Sequence, residues 1–272
     1  MRDPSPASQL ATPLIIGHRG SSAVAPENTM AAFARAMRDG ADGFEFDVRL
    51  ARDGIPVVIH DATLQRTAQM PGTVSGFTSK ELNQIEVGSW FNQKHPEVAR
   101  REYTKETVPT LAQVLDLAAR SRAILYLEMK SDKDVAEALS KAVVDLLQKY
   151  SFADRVMVES FNLSAIKTVK RLNAEIRTAA LFEPRLERPT SLLRKLKLVE
   201  LAKGAGANAI ALHHSLAAKR VTAKAAASNL PVVVWTVDKP VWLKRAQSRG
   251  IQALITNDPA FMLRERLRLS GV

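Results

Sequence analysis

The chain has 272 residues, 46% of them hydrophobic and 25% charged, and contains no cysteine. That composition fits a globular fold with a sizeable core, and it excludes disulfide scaffolds, thiolate metal centres, Fe–S clusters and a cysteine nucleophile. Lysine and arginine number 39 against 28 acidic residues, a formal charge of +11. The surplus favours anionic ligands in general, but aromatics are too few to form stacking platforms among the basic groups, so no nucleic-acid partner is expected.

Residues 1–13 are rich in Pro, Ser and Ala and read as a loose, flexible arm. They lack the apolar stretch of a secretory signal, and no run reaches the ~20 apolar residues of a membrane span. The expectation is a cytoplasmic protein without stable membrane insertion, either a monomer or a homodimer.

From residue 14 onward, short β-branched runs alternate with longer amphipathic stretches. Strands are predicted at 14–17, 43–48, 123–129, 155–160, 176–182, 207–212, 231–237 and 251–256, each short and apolar as strands buried on both faces are. Helices are predicted at 28–38, 110–119, 132–150, 162–172, 191–203, 217–228, 240–249 and 259–269. Repeated strand–helix units of this kind predict an α/β fold, a (β/α)8 TIM barrel forming one catalytic domain over 14–272. One connection is far too long: about sixty residues separate the second strand from the helix at Thr110, where a handful is usual. It opens with the turn Arg52-Asp53-Gly54 and an extra strand over 55–60. The remainder, about 62–109, is expected to be a small insertion packed over the mouth of the barrel.

Barrel enzymes place their reacting groups at the C-terminal ends of strands. His18-Arg19-Gly20 ends the first strand, Glu45 and Asp47 lie on the second, and His60-Asp61 ends the extra strand. Glu128 and Lys130 end the third, and later ends supply Phe161, His213-His214, Trp235 and Asn257. Glu45 and Asp47 are two apart, so both point to one face. Two carboxylates directed into a barrel need a cation between them, and Glu128 would add a third oxygen. Hard oxygen donors suit Mg²⁺ or Ca²⁺, while a salt-bridge cluster with Arg19, Arg49 or Lys130 is the alternative. His18 and His60 are suited to exchanging protons near neutral pH, and Arg19 and Lys130 to holding phosphate oxygens. His213 and His214 are placed for a substrate contact, whereas His95 in the insertion reads as structural.

In chain order the sequence carries His18-Arg19-Gly20, Pro26-Glu27-Asn28-Thr29, Glu45-Phe46-Asp47-Val48, Asp53-Gly54, and His60-Asp61 with Leu64 and Arg66-Thr67. Gly88-Ser89-Trp90-Phe91, Val108-Pro109-Thr110-Leu111, Glu128-Met129-Lys130, Ser160-Phe161 and Trp235-Thr236-Val237 follow. This series closely resembles the glycerophosphodiester phosphodiesterases, of the bacterial cytoplasmic type, from about Leu14 to Pro259. The resemblance implies a barrel with an insertion after its second strand and one divalent cation on Glu45, Asp47 and Glu128. It implies His18 and His60 as the acid–base pair, phosphate held by Arg19 and Lys130, and Phe161 and Trp235 flanking the glycerol or leaving-group side. The expected reaction releases sn-glycerol 3-phosphate and an alcohol from a small glycerophosphodiester after attack by the substrate's own 2-hydroxyl. A lysophospholipase D-like phosphodiesterase is the alternative enzyme, and a non-catalytic polyanion binder the alternative of another class. One departure stands out: the family usually shows Thr-Asp before a proline after its last strand, and this chain has Thr256-Asn257-Asp258-Pro259.

Overall fold

The computed structural model describes residues 12–130, 134–184 and 192–270, so nearly all of the expected N-terminal arm lies outside the described residues. Among the described residues there are nine strands: β1 (Leu14–Gly17), β2 (Gly43–Leu50), β3 (Pro56–Val58), β4 (Ile124–Met129), β5 (Val156–Ser160), β6 (Arg177–Phe182), β7 (Ala209–His213), β8 (Val232–Trp235) and β9 (Ile251–Thr256). All except β3 run parallel, in the order β1-β9-β8-β7-β6-β5-β4-β2, and pairing of β1 with β2 closes the ring into a (β/α)8 barrel. β3 is the extra strand expected after the second, shorter than predicted, and it pairs antiparallel with β2 outside the ring.

The helices are α1 (Met30–Arg38), α2 (Ser79–Leu82), α3 (Ser89–Lys94), α4 (Leu111–Ala119), α5 (Ala136–Lys149), α6 (Leu163–Leu172), α7 (Leu192–Gly204), α8 (Lys219–Ala227), α9 (Val241–Arg249) and α10 (Pro259–Ser270). Local chemistry sets their starts. Thr29 caps α1 by accepting from the Ala32 N–H, and Thr110 and Gln113 form a reciprocal capping box on α4. Helix α5 starts later than the predicted residue 132; of its expected first turn, residues 132–133 lie outside the described residues. No described helix is long and apolar enough to cross a membrane.

Alternation along the strands sorts side chains into an outer and an inner layer. On β2, Phe44, Phe46 and Val48 face outward and join Phe33 of α1 and Leu111 and Leu115 of α4 in one fully buried cluster. Phe33 stacks on Phe44 with ring centroids 4.7 Å apart. The inner layer is a separate cluster that includes Ile16, Tyr126, Met157, Leu181, Ala211, Val233 and Ile255, so the barrel is filled rather than hollow. The other residues of β2, Glu45 and Asp47, enter that inner space above the apolar filling. Gly43 begins β2 because a Cβ there would collide with the Ile124 carbonyl of the neighbouring strand.

The long connection after β2 carries β3, α2, α3 and three short 3-10 turns. It has its own small core of Val57, Ile59, Leu64, Val74, Leu82 and Val108. A second cluster, Phe91 and Tyr103 with Ala25 and Ala32, fastens it to α1 and the loop after β1, where the Tyr103 hydroxyl donates to the Val24 carbonyl at 2.9 Å.

Candidate active site

The loop after β1 turns sharply. Arg19 and Gly20 both lie in the left-handed region, at φ +53° and +83°, and a Cβ on Gly20 would meet the Ala32 backbone at 2.5 Å. The turn folds Arg19 back over the barrel mouth. Its backbone N–H donates to Glu45 Oε2 at 2.9 Å, and its guanidinium pairs with Glu27 at 2.8 Å and Asp47 at 3.2 Å. Asn28, the residue before the α1 cap, donates its amide to Asp47 Oδ2 at 2.8 Å. Just past β4, Lys130 Nζ reaches Glu128 at 2.6 Å and Asp47 at 3.3 Å.

Glu45, Asp47 and Glu128 each offer an oxygen within 4.8 Å of the others, and all three are buried. Burial and the charges of Asp47 and Glu128 push Glu45 well above the usual carboxylate range. Burial and Asp47 lift Glu128 to about 7, against the pull of Lys130. Burial opposes ionisation of Asp47 too, but Arg19, Lys130 and His60 overcome it and hold its carboxyl far below the usual range. The group therefore carries more carboxylate than Arg19 and Lys130 can keep ionised, and its donors are hard oxygens. Those features fit a divalent cation.

The two histidines differ in their partners. His18 Nδ1 lies 2.7 Å from Asn257 Oδ1. That amide is oriented by Asp238, whose carboxylate accepts from Asn257 Nδ2 at 2.7 Å and from its backbone N–H at 2.8 Å. The oxygen thus faces His18, so Nδ1 carries the hydrogen and Nε2 holds a lone pair, 3.9 Å from Glu45. Burial first, and then Arg19, lower the His18 pKa to about 4. His60 Nδ1 instead meets the Asp61 carboxylate at 2.6 Å, and Arg66 fixes that carboxylate through Oδ2 at 2.6 Å. Burial lowers His60 as well, while Asp47 and Asp61 pull the other way.

His18, Arg19, Glu45, His60, Glu128 and Lys130 line a cavity of about 100 Å³. Phe161 and Trp235, with ring centroids 5.7 Å apart, line the same cavity, and Lys130 Nζ stands 5.6 Å from the centre of the Phe161 ring, so the expected site residues other than Asp47 share one cavity. Asp47 lies beneath, bound to Arg19 and Lys130. His213 and His214 face each other at 4.1 Å, and His213 lies edge-on to Trp235 at 5.4 Å. His95 packs on Phe91 at 4.8 Å. A wider cleft of about 500 Å³ leads from His18 and Arg19 between the loop after β9 and the insertion residues Arg66, Trp90 and Lys94.

Several residues at the site escaped the sequence reading. Glu159 is buried on β5, in register with Glu128, which is itself in register with Asp47. Its parity on the strand was the available signal, overlooked beside Ser160-Phe161. Glu183, just past β6, also lines the cavity. Glu27, from the Pro26-Glu27-Asn28-Thr29 motif, bridges Arg19 and Arg66. Asn257, the departure from the family pattern, is the residue that orients His18.

A model of the glycerophosphoryl diester phosphodiesterase family matches residues 18–261. The chain is 30% identical to a glycerophosphodiester phosphodiesterase of Caldanaerobacter subterraneus subsp. tengcongensis, over 92% of this chain and 96% of that protein. It is also 30% identical to one of Bacillus altitudinis, covering 93% of this chain and 99% of the relative. Among solved structures, a phosphodiesterase of Oleispira antarctica in complex with the product sn-glycerol 3-phosphate superposes with a TM-score of 0.81 at 28% identity, covering 93% of this chain and 96% of that one.

Proposed function

The chain belongs to the glycerophosphoryl diester phosphodiesterase family, a family of phosphoric diester hydrolases, and we propose that it hydrolyses small glycerophosphodiesters to sn-glycerol 3-phosphate and an alcohol. The observation that carries the reading is the pair of differently partnered imidazoles over one cavity, beside Arg19, Lys130 and three buried carboxylates. In this reading residues 14–272 form one catalytic domain, and the insertion at about 62–109 flanks the approach to it.

Glu45, Asp47 and Glu128 would hold one divalent cation, Mg²⁺ or Ca²⁺, because their oxygens converge in a buried space and no softer donor is among them. When bound, such an ion supplies positive charge to a phosphoryl oxygen and to a neighbouring hydroxyl. Arg19 and Lys130 hold the remaining phosphate oxygens, Arg19 through its planar fork and Lys130 as a point charge.

His18 acts as base. Its Nε2 lone pair takes the proton of the glycerol 2-hydroxyl, and its neutral partner Asn257 keeps Nδ1–H in place, while burial and Arg19 hold the imidazole neutral. His60 acts as acid. The Asp61 carboxylate stabilises its charged form, and Nε2–H gives a proton to the departing alkoxide. The new bond runs from the 2-oxygen to phosphorus, the bond to the alcohol oxygen breaks, and a cyclic glycerol phosphate remains. Water then opens the ring with the roles reversed: His60 removes a proton from water, and His18 returns one to the 2-oxygen.

His18→Ala and His60→Ala should each lower kcat on glycerophosphocholine by about 10²–10⁴-fold with an unchanged circular dichroism spectrum. Rates within a few fold of the parent would remove the acid–base pair from the mechanism.

A further inference from the structure

The imidazole of His60 is held by a chain of charged groups that begins in the insertion. Its partner Asp61 meets it through Oδ1, while Asp61 Oδ2 accepts from Arg66 Nε at 2.6 Å. The rest of the Arg66 fork is occupied by Glu27, whose two oxygens accept from Nη1 at 2.8 Å and Nη2 at 2.7 Å. Glu27 in turn accepts from Arg19 Nη1 at 2.8 Å. One guanidinium therefore joins the partner of the acid to the partner of a phosphate-binding cation. Arg66 is itself anchored: Leu64 and Thr67 beside it are buried, and its guanidinium carbon lies 5.6 Å from the centre of the Trp90 ring. That ring is fixed by its Nε1–H, which donates to the Val87 carbonyl at 2.8 Å.

A guanidinium holds its N–H groups in one rigid plane, so the angle at which it presents two carboxylates is fixed. Arg66 does not line the catalytic cavity, so any influence it has on the reaction passes through its partners. Those partners depend on it unequally. Without Arg66, Arg19 keeps Glu27 and Asp47, and its backbone N–H keeps Glu45. Asp61 loses the bond that sets its second oxygen, and with it the fixed direction of the His60 ring.

Resting on the phosphodiesterase reading, we propose that Arg66 is a positioning residue for protonation of the leaving group: it fixes Asp61 so that His60 Nε2–H is aimed at the departing oxygen. Help from an acid matters most when the departing oxygen is strongly basic. Choline leaves as such an alkoxide, whereas p-nitrophenoxide is stable without a proton. Arg66 is exposed, so its replacement disturbs little packing.

The test is kcat/KM for glycerophosphocholine and for the p-nitrophenyl ester of sn-glycerol 3-phosphate, both of which carry the 2-hydroxyl. Release of the alcohol is followed on the parent, Arg66→Gln and Arg66→Lys, so the later opening of the ring does not enter. Arg66→Gln should lose about tenfold or more on the choline diester and less than about threefold on the aryl ester. Arg66→Lys keeps the charge but not the fork, and should show the same pattern with a smaller loss. In an Asp61→Asn background, Arg66→Gln should cost the choline diester less than about twofold, because the route through Asp61 is already cut. Equal losses on the two esters, or an undiminished loss in the Asp61→Asn background, overturn the positioning role and leave the phosphodiesterase reading standing. Absence of turnover of both esters by the parent overturns the two together.

Discussion

At the scale of single residues, the division of labour between two histidines comes down to one atom in each partner. Asn257 presents a neutral oxygen to His18, whereas Asp61 presents a charged one to His60. Two opposite shifts in the pH profile of kcat/KM follow. Asn257→Asp places a carboxylate against the His18 imidazole, stabilises its protonated form and moves the acid limb upward by about one unit. Asp61→Asn withdraws a carboxylate from His60, destabilises its protonated form and moves the basic limb downward by a similar amount. Profiles superimposable on the parent's in both variants would contradict the assignment of base and acid. Little of this pairing was legible in the sequence. His18 and His60 stand out beside strand ends, but Asn257 lies 239 positions from His18. Only closure of the barrel, β9 against β1, brings them together. Glu159 shares its strand parity with Phe161, but that it sits beside the carboxylates shows only once its register with Glu128 is known.

At the scale of elements, the strands were the most legible part of the chain, because each is a short apolar run bounded by polar turns. Their ends moved by only a few residues, as in β7, which runs through His213. Helix starts were readable where a capping side chain exists, as at Thr29 and Thr110. Helix α5 has no side-chain cap, and its start was misplaced accordingly. Within the insertion, the short 3-10 turns, α2 and α3 carry no sustained period, so composition marked their location and not their form. The β1–α1 turn is the element on which the site depends most. Gly20→Ala forces a Cβ against the Ala32 backbone at a positive φ, and should cost about 1–3 kcal/mol of stability. It should also lower kcat/KM, because the same turn carries His18 and Arg19. Chemical denaturation and steady-state kinetics on one preparation check both, and unchanged values would show that the turn tolerates a side chain.

At the scale of the whole molecule, a barrel with a filled apolar centre holds several ionisable groups above that filling, and this ties stability to pH and to metal. Ordinary histidines in the unfolded chain are half protonated at about pH 6.5 and have released their protons by about pH 7.5, above which the lowered His18 and His60 no longer add a pH dependence. The raised carboxyls still do. Glu128 keeps a proton in the fold until about pH 7, and burial raises Glu45 and Glu159 well above the usual carboxylate range too, whereas the unfolded chain has released these protons. There the unfolded state binds fewer protons, so the stability of metal-free protein should fall as pH rises above about 7.5. A saturating divalent cation should reverse that loss, raising the melting temperature by roughly 5–10 °C at about a hundred times its dissociation constant. Glu45→Gln should melt higher than the parent without metal and gain little with it, and a variant that still responds fully to metal would contradict the triad. The surplus of +11 charges has no counterpart in the site, where cations and carboxylates are interleaved. The account's central claim is a metal-dependent phosphodiesterase, and release of sn-glycerol 3-phosphate from glycerophosphocholine tests it most directly, assayed with Mg²⁺, with Ca²⁺ and with EDTA. The account predicts release with at least one of the two ions and loss of it in EDTA. Folded protein that releases none with either ion, or releases it equally well in EDTA, would contradict it.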